Sequence, residues 1–95
     1  MSTYLSAIIT VKNPEKLKEY ISQVPATMAP FGAKLVCRGK VQSVLAGEAK
    51  HQIEAVFEFP SEDALHGWYN SDAYQALIPL RNEVCTMTLA VLAPF

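Results

Sequence analysis

Tyr4-Leu5-Ser6-Ala7-Ile8-Ile9-Thr10-Val11, followed after Lys12 by Asn13-Pro14, decides how this chain folds. The stretch up to Val11 is rich in β-branched and aromatic side chains, contains no breaker, and reads as a strand. Asn13 suits a helix N-cap. Pro14 suits the first helical position, where a missing N–H costs nothing, and Glu15 suits the positive end of the helix dipole. Leu17, Tyr20, Ile21, Val24, Met28 and Phe31 then recur at steps of three and four, which makes one apolar helical stripe. Pro25 interrupts that stripe and predicts a kink or short break near Gln23, and Gly32 reads as the C-cap.

Working outward from this strand–helix unit, Lys34 to Arg38 and Gln42 to Ala46 read as a second strand with a bulge around Gly39. Gly47 to Lys50 forms the turn, and His51 to Phe59 the third strand. Pro60-Ser61 stops it, with Ser61 as the cap of a helix through Tyr69. Ser71 opens a further helical segment through Arg81, disturbed at Pro79, and Cys85 to Ala93 is the last strand. The order βαββαβ is the ferredoxin-like plan: an α+β sandwich with a four-stranded antiparallel sheet and helices on one face. The chain of 95 residues reads as a single domain over 1–95. In the strand order 4-1-3-2 the two cysteines, Cys37 and Cys85, fall on opposite edges. Three strand spacings of about 4.8 Å separate them, beyond disulfide reach. They are expected as free thiols packed as small hydrophobes.

Composition excludes several functions. Eight Lys+Arg stand against nine Asp+Glu, with a net charge of −1 and no basic run. Nucleic acid is therefore not an expected partner, because phosphate neutralisation needs a clustered basic surface. No apolar stretch approaches a bilayer span and no charged-then-apolar export signal is present, so no membrane partner is expected and the expected compartment is the cytoplasm. Neither the cysteines nor His51 and His66 have metal-ligand spacing, so no metal or other cofactor is expected. Both histidines read as ordinary surface or half-buried residues.

Strand alternation carries the functional signal. Leu5, Ala7, Ile9 and Val11, then Ile53, Ala55, Phe57 and Phe59, then Cys85, Met87, Leu89 and Val91 form uniformly apolar sets that should meet the helices. The other face reads Tyr4, Ser6, Ile8, Thr10; Lys34, Val36, Arg38; Gln52, Glu54, Val56, Glu58; Thr86, Thr88, Ala90, Leu92. This mixed face suits partial solvent exposure. It also suits a homodimer whose sheets face each other around a cavity, and its apolar content favours the dimer. Arg38 and Glu58 fall roughly opposite across the hairpin. They are predicted to form a cross-strand or cross-dimer ion pair, since an isolated buried charge is costly.

Phe31-Gly32-Ala33-Lys34-Leu35-Val36-Cys37-Arg38-Gly39, Glu58-Phe59-Pro60-Ser61, and Trp68-Tyr69-Asn70-Ser71 with Tyr74-Gln75 and Arg81 resemble the signature of the domain of unknown function 1330 family, within the dimeric α/β-barrel superfamily. The resemblance spans nearly the whole chain and implies a ferredoxin-like protomer in a face-to-face dimer. It names no reaction. The chain departs from the family pattern at Ala33, Lys40, Ala46 and Asp72-Ala73, and the missing acid at position 46 argues against carboxylate chemistry there.

The candidate ligand-binding residues are Arg38, Glu58, Tyr20, Trp68, Tyr69, Tyr74 and Arg81. Glu58 suits a general base and Arg38 a holder of an anionic or carbonyl group; mutual pairing is the structural reading of both. The aromatic cluster suits packing before ligand contact, with Tyr20 on the apolar stripe. Arg81 suits a carboxylate clamp or a helix-end salt bridge, and Ser71 a cap. No residue is assigned as catalytic. Two functions fit: a homodimeric protein holding a small organic or carboxylic ligand between sheet and helices, with cofactor-free catalysis open to it, or a non-catalytic structural or regulatory homodimer whose sheet face serves self-association.

Overall fold

The computed structural model describes Ser2–Phe95. Strand β1 runs Thr3–Val11, β2 Lys34–Lys40, β3 Ile53–Phe59 and β4 Cys85–Leu92. Helix α1 is Pro14–Met28, α2 Glu62–Tyr69, α3 Asp72–Gln75 and α4 Ile78–Val84. The sheet order is β2-β3-β1-β4 with antiparallel neighbours, as the βαββαβ plan requires.

The caps stand where the sequence places them. The Asn13 side chain accepts from the Lys16 amide at 3.1 Å. Ser61 accepts from Ala64 and Ser71 from Tyr74. Pro25 does not break α1, which continues to Met28 and into a 3₁₀ turn over Ala29–Phe31. Pro25 itself is exposed, while Leu17, Tyr20, Val24 and Met28 are buried and keep the helix docked. Gly32 ends the 3₁₀ turn at φ 74°, a left-handed conformation that L side chains resist.

Three strands keep the alternation read from the sequence. Leu5, Ala7, Ile9, Ala55, Phe59 and Cys85 are buried beneath the helices, and Tyr4, Ser6, Ile8 and Val56 lie half-buried on the open face. The second strand departs from it. Leu35 pairs with Phe57 and Cys37 with Val56, so Val36 is an extra residue in a β-bulge, earlier than the expected position at Gly39. One inserted residue reverses the facing of everything beyond it. Arg38 therefore pairs with Ala55 on the helix side, and Glu58 pairs with Lys34 and Tyr4 on the open side. The two charges lie on opposite faces of the sheet, and the predicted ion pair within the chain does not form.

Gln42 to Ala46 is also not a strand. Lys40 already faces Ile53, the first residue of β3, and beyond it the Val41 amide donates to the Gln52 carbonyl at 2.8 Å before the two chains part. Cys85 is buried, but Cys37 is exposed because it lies beside Val56 on the open face of an edge strand; both thiols are free. Replacing Gly32 by Ala should destabilise the protein by about 1–2 kcal/mol, from the left-handed backbone strain. The added methyl would also meet Pro60 Cγ at 3.3 Å. Urea denaturation measures this loss.

Candidate functional site

The helices do not cover their side of the sheet evenly. Helix α1 packs beside α4, while every residue of β2 is exposed. Between α1 and the sheet lies a cavity of about 620 Å³, lined by residues of all four strands. Its floor contains Ala7 and Ala55, which are direct cross-strand partners. Two methyl groups sit where a pair of larger side chains would fill the gap. Leu5, Ile9, Phe57 and Met87 extend the floor, and Val24, Met28, Trp68, Tyr20 and Tyr74 form the wall. The mouth is made by exposed residues: Lys18, Ser22 and Pro25 on α1, with Leu35, Arg38 and Lys40 on β2.

The wall is an aromatic cluster held by polar contacts. Trp68 lies 4.3 Å from Tyr74 and 5.7 Å from Phe59, measured between ring centroids. The Trp68 indole N–H donates to Thr27 Oγ1 at 3.0 Å, and the Thr27 hydroxyl donates to the Val24 carbonyl at 2.7 Å. Both groups are buried, and each has a partner. The Tyr20 and Tyr74 hydroxyls meet at 2.8 Å, and Arg81 Nη1 donates to Tyr74 Oη at 3.3 Å. When Tyr74, which accepts from the cation, gives its own proton to Tyr20, the Tyr20 O–H is left as a donor. Burial, then the adjacent Tyr74 hydroxyl, hold Tyr20 protonated far above the usual tyrosine value of 10.0.

The candidate residues thus divide into groups. Tyr20, Trp68 and Tyr74 line the cavity, and Arg38 stands at its mouth. Arg81 lies behind Tyr74, bonded to it and to Asn82 and not to an acid. Tyr69 packs 5.5 Å from Tyr74 and is absent from the lining. Glu58 belongs to the other face, where it accepts from the Tyr4 hydroxyl at 3.2 Å. His51 and His66 pair with Glu54 and Glu62, and Ser71 caps α3. Sequence reasoning missed Lys18, Lys40, Thr27 and the Ala7–Ala55 floor. Alanine at matching inward positions of two strands was the available signal for that floor. Among the described residues there is no cluster of three metal-type ligands, and no helix is long and apolar enough to cross a membrane.

Residues 2–95 match the family described as Domain of unknown function (DUF1330). The chain belongs to that family. A DUF1330 chain of this fold has well-matched solved neighbours at low identity. RPA0582 from Rhodopseudomonas palustris, a protein of unknown function, superposes with a TM-score of 0.84 at 16% identity, covering 99% of this chain and 82% of that one. A dimeric ferredoxin-like protein of unknown function from Jannaschia sp. CCS1 gives 0.80 at 10% identity, covering 99% and 100%. SnoaB, a cofactor-independent oxygenase from Streptomyces nogalater, gives 0.71 at 9% identity, covering 99% and 93%. At these identities the likeness shows the fold. No curated protein matches the sequence.

Thr27→Val should cost about 1–3 kcal/mol by leaving the buried Trp68 N–H without a partner, read by chemical denaturation with Trp68 fluorescence as the probe. Stability should also fall as pH rises above about 10, the unperturbed tyrosine value. The unfolded chain ionises there while native Tyr20 does not, so alkali favours unfolding. Tyr20→Phe should reduce that alkaline loss in a pH series of denaturation curves.

Proposed function

We propose that this protein is a homodimer that binds a small organic molecule in the cavity between α1 and the sheet. The observation that carries the reading is the cavity itself. About 620 Å³ lined mainly by apolar and aromatic side chains, with a few convergent polar groups, is the ordinary form of a small-molecule site. The ligand's apolar body would lie on Ala7, Ala55 and Met87, against Trp68. The Tyr20 hydroxyl, backed through Tyr74 by the Arg81 guanidinium, would donate to an oxygen of the ligand. This arrangement also suits cofactor-free chemistry on a carbonyl or enolate, since a preorganised neutral donor stabilises charge developing on oxygen. The fold shared with a cofactor-independent oxygenase is compatible with that activity and assigns none. Binding is the function proposed.

Self-association has separate support. The open face shows Leu92 at 47% and Val36 at 55% exposure beside half-buried Ile8 and Val56, and two neighbours of this fold are described as dimeric. A second copy on this face would cover those side chains by the commonest symmetry of soluble oligomers. Because the cavity lies on the opposite, helix-covered face, a dimer that uses the sheet leaves the mouth accessible. The alternative of a purely structural dimer makes no use of the cavity.

Thermal-shift screening of small apolar compounds should yield ligands that raise Tm. Ala55→Leu, which fills the floor, should abolish the shift while circular dichroism shows a native fold. The binding reading fails if no compound stabilises the protein, or if the shift survives in folded A55L. Sedimentation should show twice the 10.5 kDa chain mass. A solitary chain at working concentration would overturn the dimer.

A further inference from the structure

The charges around the cavity are of one sign. Its lining includes Lys18, Arg38 and Lys40 and no aspartate or glutamate, in a chain whose acids outnumber its bases. None of the three cations forms a salt bridge among the described residues. The basic groups come from two separate elements, α1 and β2, and converge on one opening. The acids of β3 are excluded by strand parity: Glu54 and Glu58 point to the open face, whereas Arg38 reaches the helix side because the bulge at Val36 reverses its direction. Strict alternation from Leu35, with Val36 in register, would put the guanidinium on the open side, with the acids. The polar wall at the Tyr20–Tyr74 pair is likewise backed by a cation, Arg81, and not by an acid.

Resting on the cavity reading above, we infer that the ligand is an amphipathic carboxylate whose apolar body fills the cavity and whose anionic head meets Arg38, flanked by Lys18 and Lys40, at the mouth. A guanidinium presents paired N–H groups that match a carboxylate, and the half-open position lets the head keep part of its hydration. Longer-range attraction from the two lysines would speed capture and would weaken as salt screens it. Neutral analogues of equal shape keep no charge-assisted head contact. Cationic ones meet three like charges.

The experiment is isothermal titration calorimetry of the full chain with 4-phenylbutanoate, 4-phenylbutanamide and 4-phenylbutylamine, which share an apolar body and differ in head charge. The carboxylate should bind at least about tenfold more tightly than the amide, and the amine should not bind measurably. Arg38→Gln should remove most of the difference between carboxylate and amide and leave the protein's Tm unchanged, because Arg38 is exposed and unpaired. The triple variant R38Q with Lys18→Gln and Lys40→Gln should erase both the preference and its salt dependence. Equal affinity for carboxylate and amide, or a preference that survives the triple variant, overturns this inference and leaves the cavity reading standing. Failure of all three compounds to bind overturns this inference. Failure of the wider apolar screen is the separate result that removes the cavity reading.

Discussion

The uneven cover of one sheet face is the constraint on which the rest of this molecule depends. Edge strand β2 is exposed along its whole length, so the helices do not close over all four strands. Helix α1 is held by its contacts with α4 and by the buried stripe of Leu17, Tyr20, Val24 and Met28. A gap remains between α1 and the sheet. In a close-packed interior such a gap is normally filled by side-chain volume. Here Ala7 facing Ala55 leaves it empty, and the gap becomes a cavity with a mouth.

The wall of that cavity is rigid for reasons independent of any ligand. Trp68 and Tyr74 are almost wholly inaccessible, stack against each other, and have their polar atoms engaged by Thr27, Tyr20 and Arg81. Fully satisfied buried polar groups fix a single arrangement, because every alternative leaves a donor or acceptor without a partner in low dielectric. The same network therefore serves packing and presents one hydroxyl in a defined, protonated state. Ser71 supports it locally by capping α3, the turn of helix that carries Tyr74, and by donating to the Trp68 carbonyl at 2.6 Å.

The bulge in β2 has the largest effect for its size. A single extra residue, Val36, separates Arg38 from Glu58 by a full sheet thickness and gives the two faces different chemistry. The open face keeps Glu54, Glu58 and Tyr4 among apolar side chains. The helix face receives an unpaired guanidinium at the edge of an apolar cavity. Two surfaces of distinct chemistry thus meet at one short edge strand.

Local chemistry was enough to read the elements, their order and three of the four strand faces from residues alone. Asn13, Ser61, Ser71 and Gly32 act through groups a few positions away, and strict alternation in β1, β3 and β4 leaves one register that buries the apolar set. The aromatic members of the site were legible for the same reason, as large apolar residues at helical spacing. What only the tertiary structure decided was non-local: the position of the bulge, the survival of α1 through Pro25, the side on which Arg38 lies, and the empty volume above Ala7 and Ala55. A bulge is set by how two strands distant in sequence share their hydrogen bonds, and a cavity by volume that no residue supplies. The bulge leaves no mark in the residues that border it, and the cavity leaves only the paired alanines.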